Sequence, residues 1–321
     1  MNSFSRKTFL FLIVICVATS CKTQNKSTTQ KAPVISQNKN IPSKNQVDST
    51  QIMADIKHLA SDELEGRRSG EKGNALAREY IVTRFQKLGL EKVDTSFLQP
   101  FSFYKRIYKK TYNCNNVIGK ITGTKHPEKY IVLTAHYDHL GKREEKIFNG
   151  ADDNASGVSA VLAAAAYFKK TPPKHSILFV AFDAEELGLE GAKHFVDNPP
   201  ISINNILMNV NLDMISRNKK SEIYICGTHH YPILKEKLTS INSLSSLNVL
   251  FGHDTPDLGY NDWTGASDHG PFHKKKIPFI YLGVEDHEDY HKQTDTFERI
   301  DPSFLYQSTR LVLEILKAFD R

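Results

Sequence analysis

This chain of 321 residues has few cysteines and no apolar run long enough for a membrane helix, and each shortage excludes a class of protein. Its four cysteines form no C-x-x-C pair, which argues against a zinc site built from thiolates. The apolar stretch 9–17 is too short to span a bilayer as a helix. A G-x-S-x-G sequence is also missing, so nothing indicates the serine nucleophile of an α/β-hydrolase.

The part of the chain that is expected to fold has no excess of either charge. Residues 1–50 contain seven Lys or Arg and one acid, and removing them from the chain's 42 basic and 36 acidic residues leaves 35 of each. The net charge of +6 therefore belongs to the N-terminal segment. Because the remainder is neutral, the basic composition gives no support to nucleic-acid binding and fits a tail that faces a membrane.

The N-terminus has the pattern of an export signal. Arg6 and Lys7 precede the apolar stretch, and small residues lead to Cys21. The segment Ala18–Cys21 resembles a bacterial lipobox. We therefore predict a lipoprotein signal peptide over residues 1–20 and acylation of Cys21, with ordinary secretory cleavage as the alternative.

Residues 21–50 are rich in Lys, Thr, Gln, Asn and Ser and nearly lack large apolar side chains, so they are predicted to be a disordered tether. We expect a lipid-anchored protein of the bacterial cell envelope. The absence of an acidic run after Cys21 favours the outer membrane, facing the periplasm. Export also permits a disulfide between Cys114 and Cys226, but two buried thiols fit the sequence at least as well.

Apolar periodicity divides residues 51–321 into alternating helices and strands. The predicted helices are 51–60, 71–89, 154–167, 188–196, 233–238 and 302–319. The predicted strands are 97–108, 111–122, 129–135, 176–182, 206–212, 222–225 and 278–282. Such alternation indicates an α/β fold with a layered sheet. Since no Gly-, Ser- or Pro-rich linker follows residue 51, we predict a single domain over 51–321.

Five short segments place acids or a histidine directly after apolar runs. They are Thr134–Asp138, Gly150–Gly157, Asp183–Glu186, Asn211–Asp213 and Asp289–His291. Burying a carboxylate costs several kcal/mol unless it is paired or binds a metal. In an open α/β sheet, the loops that follow the strands gather ligands at one edge. Acids and histidines collected there would be stabilised by divalent cations, so the pattern indicates a hydrolase with two metal ions.

The motifs within these segments resemble those of one known family. His136-x-Asp138, Ala151-Asp-Asp-Asn-Ala-Ser-Gly157 and Ala184-Glu-Glu are specific in combination, and the segment Leu59–Arg67 is typical of bacterial members. From about residue 51 to the C-terminus, the chain resembles the co-catalytic zinc exopeptidases of family twenty-eight, of the bacterial leucyl aminopeptidase type. The resemblance implies a three-layer αβα sandwich around a central mixed, mostly parallel sheet. It also implies a metallopeptidase that removes the N-terminal residue of peptides.

The resemblance further implies two zinc ions with three protein ligands each. The ligands are His136, Asp152 and Asp213 for one ion and Asp152, Glu186 and His291 for the other. Asp152 would therefore bridge the two ions, each of which keeps an open position for a shared water. Asp153 would not be a ligand, and members of the family often have a cis peptide between the two aspartates.

Glu185 is left as the general base, because two divalent cations are offset by three ligand carboxylates and one hydroxide. In this interpretation a hydroxide between the zinc ions attacks the peptide carbonyl, and Glu185 returns the proton to the leaving amine. Glu185 and Glu186 can differ in role because successive side chains of an extended segment point to opposite sides. Asp138 is expected to hold the imidazole of His136 through its other ring nitrogen.

A second motif competes for the same region. The segment His287–His291 matches the H-E-x-x-H sequence of zincins, which requires a helix so that both histidines share a face. Here the match follows a predicted strand and Gly283. A zincin site would also leave the acids Asp152, Glu186 and Asp213 without partners, so we prefer the two-metal assignment.

Three other functions fit the same scaffold. Glutaminyl-peptide cyclotransferases resemble this family and use one zinc ion, and the motifs alone do not distinguish them. A carboxypeptidase would need cations for the substrate's carboxylate, and no guanidinium cluster lies near the motifs. A non-catalytic binding protein is disfavoured because the chain keeps all five ligands and the base.

Asp268 is a further candidate near the substrate pocket, and Tyr260 and Trp263 either wall that pocket or only pack their loop.

Overall fold

The computed structural model describes residues 47–242 and 245–321. The predicted signal peptide, the predicted acylation site Cys21 and the part of the predicted tether before residue 47 lie outside the described residues. Among the helices of the described residues, none is both long and apolar enough to cross a bilayer. The first helix begins at Ser49, where the side chain of Asp48 caps it by accepting a hydrogen bond from the backbone N–H of Gln51.

Ten strands lie in the described residues. They are β1 (Leu98–Lys105), β2 (Lys110–Ile121), β3 (His126–His136), β4 (Gly141–Arg143), β5 (Lys146–Phe148), β6 (His175–Phe182), β7 (Ile206–Leu212), β8 (Glu222–Cys226), β9 (Asn248–Phe251) and β10 (Phe279–Gly283). Eight of them form one sheet in the order β1-β2-β6-β3-β7-β10-β8-β9, and β4 pairs with β5. The pairs β1–β2, β2–β6 and β8–β10 are antiparallel, and the other neighbours are parallel, so the predicted mixed sheet is confirmed.

Helices cover both faces of this sheet. They are α1 (Ser49–Leu59), α2 (Lys72–Leu88), α3 (Gly157–Lys170), α4 (Glu190–Asp197), α5 (Ile233–Asn242), α6 (His269–Lys274) and α7 (Pro302–Phe319). Side chains of α4 and α6 pack on one face and those of the other five helices on the opposite face. Because side chains alternate along a strand, β3 sends Ile131 and Leu133 into one core and Val132 into the other. The predicted three-layer αβα sandwich is confirmed.

The parallel strands β3, β6, β7 and β10 end at the same edge of the sheet. His136 is the last residue of β3, and Asp183 and Asp213 directly follow β6 and β7. His291 lies in the loop after β10. The sheet therefore brings together segments that are far apart in the sequence, as the strand-end pattern predicts.

The turn before α3 differs from the prediction. The helix expected from Asn154 begins at Gly157, and residues 151–156 form a wider turn with a cis peptide between Asp153 and Asn154. The cis bond thus lies one residue after the expected position between the two aspartates. The short elements β4, β5, β9 and α6 were not predicted, because three to six residues are too few to show a period.

The two cysteines of the described residues do not form a disulfide. Cys114 and Cys226 are both buried, free thiols. Burial raises the pKa of both thiols above the usual value, so neither has the character of a reactive thiolate. Of the two alternatives that the sequence left open, the buried thiols are the correct one.

Candidate metal centre and substrate cleft

Side chains from several loops meet at the sheet edge around one carboxylate, that of Asp153. Nε2 of His136 lies 3.3 Å from Oδ1 of Asp153 and 3.3 Å from Oδ1 of Asp213. All three residues are buried. Their ligand atoms lie within 4.8 Å of one another, close enough to share one metal ion.

A second group lies on the other side of Asp153. Its Oδ2 is 3.1 Å from Nε2 of His291, which is itself 3.4 Å from Oε2 of Glu186. Nδ1 of His139 is 2.9 Å from Oε1 of Glu186 and 3.6 Å from the same Asp153 oxygen. Asp153 therefore contacts both groups, one through each carboxylate oxygen, which is the position expected of a bridging ligand.

Asp152, predicted as the bridging ligand, faces away from both groups. One of its carboxylate oxygens accepts hydrogen bonds from the backbone N–H and the hydroxyl of Ser216, both at 2.7 Å. The other oxygen lies 2.9 Å from Nε2 of His287. Because Asp153 has extended backbone angles (φ −103°, ψ 93°), the two neighbouring carboxylates point to different sides. In the structure Asp153, and not the predicted Asp152, therefore lies between the two groups.

The turn that presents Asp153 is fixed by Asp295, which the sequence analysis did not single out. One carboxylate oxygen of Asp295 accepts a hydrogen bond from the backbone N–H of Asp152 at 2.9 Å, and the other from that of Asp153 at 3.0 Å. The side-chain amide of Asn154 donates to the carbonyl of Leu212 at 2.8 Å. These contacts tie the turn to the loop after β10 and to the end of β7.

Arg67 contacts the residues just before this turn. It is the last residue of the segment that is typical of bacterial family members. Its buried guanidinium donates hydrogen bonds to the carbonyls of Tyr137, Asn149 and Gly150. Burial lowers the pKa of Arg67 to about 10, against the opposing effect of nearby acids such as Asp153. The guanidinium is occupied by main-chain carbonyls and is not presented to a substrate.

Asp138 orients the glutamate loop rather than the imidazole that it was predicted to hold. Its carboxylate accepts hydrogen bonds from the backbone N–H of Glu185 (3.0 Å), from that of Glu186 (3.3 Å) and from the hydroxyl of Ser69 (3.0 Å). Nδ1 of His136 lies 3.1 Å from the backbone carbonyl oxygen of Asp138 and 3.8 Å from its carboxylate. The main chain therefore holds the ring, and the carboxylate fixes the two glutamates.

Glu185 lines the cleft above the centre but belongs to neither ligand group. Burial raises the pKa of the Glu185 carboxyl well above its usual range. The charges of Glu186 and Asp268 raise that pKa further, and His136 opposes them. A carboxylate with a raised pKa beside a ligand cluster is suited to accept a proton and pass it on.

The two ligand groups lie at the base of a cleft of about 370 Å³. Six apolar or aromatic side chains lie along its wall: Leu189, Met214, Trp263, Tyr281, Val284 and Tyr290. Asp286 lies at the exposed rim, and none of the described residues that line the cleft is Lys or Arg. Trp263 thus walls the pocket, whereas Tyr260 is 89% exposed and does not line it.

The side chains of the centre leave donor atoms unused, which fits a metal site. Nδ1 of His139 and Oε1 of Glu186 are 2.9 Å apart but are not aligned for a hydrogen bond, and within the described part of the chain neither atom, nor Nε2 of His139, has another hydrogen-bond partner. Both carboxylate oxygens of Asp268 are also buried without a hydrogen bond in the described residues, and burial raises the pKa of Asp268 to about 7. Imidazole nitrogens and carboxylate oxygens are ligands that zinc takes in proteins. The residues of the centre therefore fit zinc.

The H-E-x-x-H match does not form a zincin site. The segment His287–His291 lies in turns, and the backbone of His291 is left-handed (φ 56°). His287 contacts Asp152, while His291 contacts Asp153 and Glu186. The two histidines therefore serve different sites, and only His291 lies in the centre.

The sequence analysis missed His139 and Asp295. His139 directly follows the segment Thr134–Asp138 that was singled out, so its residue type was an available signal. Asp295 had no such signal, because an acid in a polar loop is usually a turn former. Only its contacts with the turn that holds Asp153 show its role.

The chain is similar in sequence and in fold to known proteins. The sequence profile of peptidase family M28 matches residues 116–316. Aminopeptidase YwaD of Bacillus subtilis is 35% identical over 211 residues, which cover 61% of this chain and 43% of that protein. The chain therefore spans less than half of the length of this curated relative.

Two solved structures share the fold. BSAP, a zinc aminopeptidase from Bacillus subtilis, has a TM-score of 0.70 at 18% identity and covers 84% of this chain and 95% of its own. Porphyromonas gingivalis glutaminyl cyclase also has a TM-score of 0.70 at 18% identity, covering 85% and 98%. At this identity the similarity shows the fold and does not choose between the two activities.

Proposed function

The chain belongs to peptidase family M28, and on this premise we propose that it is an aminopeptidase that binds two zinc ions and removes the first residue of peptides. The observation that carries the proposal is the position of Asp153 between two groups of ligand-type side chains. His136 and Asp213 lie on one side of this carboxylate, and Glu186 and His291 lie on the other.

Asp153 would contribute to both metal sites, with His136 and Asp213 completing one and Glu186 and His291 the other. When bound, the ions would polarise the scissile carbonyl and lower the pKa of the attacking water. The chain's own part is to fix the ligands. Asp295 holds the turn of Asp153, and the carbonyl of Asp138 holds the ring of His136.

Glu185 is proposed as the general base. Its backbone N–H is fixed by Asp138, and its carboxylate lies in the cleft without being needed as a ligand. Its raised pKa suits a group that takes a proton from water and gives it to the departing amine. Such proton transfer typically contributes about 10²–10⁴-fold to a rate.

The charge of the cleft favours a substrate with a free amino end. Asp286 adds a carboxylate at the rim, and none of the described residues that line the cleft is Lys or Arg. Arg67 is bound to main-chain carbonyls, and Arg217 and Arg299 are paired with Asp289. An ammonium group would be attracted to this cleft, whereas a terminal carboxylate would meet no partner, which disfavours a carboxypeptidase.

Hydrolysis of leucine p-nitroanilide by the zinc-loaded protein, compared with cyclisation of an N-terminal glutaminyl peptide, tests the proposed activity. We expect nitroaniline release that disappears after chelation and returns when zinc is added. Cyclisation of the glutaminyl peptide without release of nitroaniline would refute the aminopeptidase and support a cyclotransferase. Binding of two zinc ions rather than one is checked by metal analysis of the same sample.

We also propose that the protein is anchored to the bacterial envelope through an acylated Cys21, which lies outside the described residues. The support is the sequence pattern of the first 21 residues. The full chain should fractionate with membranes, and Cys21→Ser should lose lipid labelling. A wild-type chain that takes up no lipid label would contradict the anchor and favour the alternative, ordinary secretory cleavage.

A further inference from the structure

The β1–β2 hairpin extends well beyond the sheet at the edge that holds the metal centre. Val117 of β2 pairs with Ala181, next to the last residue of β6, and β2 begins seven residues earlier, at Lys110. Because a strand rises about 3.4 Å per residue, the closed end of the hairpin lies roughly 24 Å past this pairing. The end of the hairpin, residues 104–110, therefore projects from the same edge as the cleft.

The end of the hairpin is basic. Lys105, Arg106, Lys109 and Lys110 lie in a stretch that has no acid between Asp94 and Glu128. Across the described residues, none of these four cations forms an ion pair with a carboxylate. Four cations on one turn, without neutralising neighbours, attract an anionic partner.

The same turn exposes large apolar side chains. Tyr104 is 61% exposed, Ile107 78% and Tyr108 51%. Exposed apolar and aromatic residues beside cations are typical of surfaces that bind a partner, because the side chains combine contact area with charge. The hairpin end is therefore a candidate binding surface.

This surface is continuous with the wall of the cleft. The ammonium of Lys105 donates a hydrogen bond to the carbonyl of Leu187. It also lies beside Gly188, where an added Cβ would be 3.2 Å from Nζ. Gly188 and Leu189 both line the cleft. A bound peptide that leaves the cleft along this wall would contact the end of the hairpin next.

We propose that the end of the hairpin binds acidic residues of the peptide substrate, a few positions after the bond that is cut. The inference rests on the proposed aminopeptidase function and adds a preference for the downstream part of the substrate. An extended peptide advances about 3.3–3.6 Å per residue, so its third to sixth residues can reach residues 104–110 from the cleft. The acidic cleft takes the ammonium end, and the basic hairpin takes the carboxylates that follow.

An anionic lipid surface is the other partner with suitable chemistry, since tyrosines and lysines also suit membrane interfaces. The contact of Lys105 with the cleft wall favours the peptide, because a membrane-binding turn needs no connection to the catalytic cleft. The experiment below separates the two partners.

Two peptide amides that differ only downstream provide the test: Leu-Ala-Glu-Glu-Glu-Ala and Leu-Ala-Gln-Gln-Gln-Ala. We expect a higher kcat/KM for the glutamate peptide, through a lower KM, because these contacts are made equally in the ground and transition states. Arg106→Gln with Lys109→Gln should reduce that preference by about 2- to 30-fold, as expected for two exposed ion pairs. Leucine p-nitroanilide has no downstream residues, so its hydrolysis should not change.

Lys87→Gln with Lys125→Gln is the matched control. It also removes two exposed positive charges, but from helix α2 and from the opposite edge of the sheet. This control should keep the full preference for the glutamate peptide. At about 1 M salt the screening length falls to ~3 Å, so the preference should fade in the wild type.

Binding of both peptides to the Glu185→Gln protein, measured by fluorescence anisotropy, tests the hairpin without turnover. Equal affinities for the two peptides in this protein would overturn the proposal even if leucine p-nitroanilide is hydrolysed. Failure to hydrolyse leucine p-nitroanilide, with tighter binding of the glutamate peptide, would instead contradict only the aminopeptidase. Loss of binding to phosphatidylglycerol vesicles in the hairpin variant, with unchanged peptide affinities, would overturn the proposal in favour of a membrane.

Discussion

Replacing each of two adjacent aspartates by asparagine tests the geometry of the metal centre. Asp152 and Asp153 are neighbours in the chain, both are buried, and both substitutions remove one charge without changing side-chain size. Asp153→Asn should lose both metal ions, because both ligand groups depend on its carboxylate. Asp152→Asn should keep them, because its carboxylate binds Ser216 and His287 instead.

The size of the effect follows from binding linkage. Changes in residues that only support metal ligands weaken affinity by about 10–100-fold, so losing the bridging ligand should cost at least about 100-fold at each ion. With free zinc at 100 times Kd, one site stabilises the wild-type fold by about 2.7 kcal/mol, and a 100-fold weaker site by about 0.4 kcal/mol. The loss of about 2.3 kcal/mol per site corresponds to a fall in Tm of roughly 5–9 °C.

Asp152→Asn should lower stability by a different route. Its carboxylate makes charge-assisted hydrogen bonds, and losing them costs about 1.5–3 kcal/mol whether or not zinc is present. Thermal unfolding of the wild type and both variants, with chelator and with zinc, separates the two effects. The zinc-dependent shift should become small in Asp153→Asn and stay at its full size in Asp152→Asn. Metal analysis showing two zinc ions in Asp153→Asn and none in Asp152→Asn would refute the assignment.

Three further predictions concern single residues around the centre. Glu185→Gln should lower kcat by about 10²–10⁴-fold with both zinc ions still bound, and near-normal turnover would remove it as the base. His139→Ala should weaken one zinc site by about 10–100-fold and leave the other, as titration of the apoprotein would show; unchanged affinity at both sites would contradict this. Asp289→Asn should destabilise the His291 loop by about 1.5–3 kcal/mol in urea unfolding at neutral pH, because the Asp289 carboxylate is paired with Arg217 and Arg299. Burial alone would raise the pKa of Asp289, but hydrogen bonds from Thr294 and the two arginines hold it below its usual value, so its contribution is present above about pH 4 and is lost as the pH falls further. A stability difference between Asp289→Asn and wild type that is unchanged at low pH would contradict this pairing.

The fold was readable from the sequence because its signals are local and repeated. Apolar runs such as 176–182 and 206–212 are buried strands, and the residues that follow them, Asp183 and Asp213, lie at a common edge. The amphipathic pattern of α7 predicted its full length. Where a segment is short, as in β4 or β9, no periodicity exists to be read, and these elements were missed.

The sequence predicted which types of residue meet in the site, but it did not predict which of two adjacent residues faces it. His136, Glu186, Asp213 and His291, which the motifs named as ligands, lie close together in the structure, and their metal binding stays a prediction. Asp138 lies in the site, but its carboxylate holds the glutamate loop. Which atom of a side chain faces which neighbour depends on backbone angles, and the motif does not contain them.

By itself, the sequence determined that acids and histidines end the central strands, because burial and strand period are properties of local composition. Only the tertiary structure decided between Asp152 and Asp153, since the turn that aims them is held by the carboxylate of Asp295, 142 residues further along the chain than Asp153. A displacement of one residue moves a carboxylate from one side of that turn to the other, and no local pattern records a contact made at such a distance along the chain.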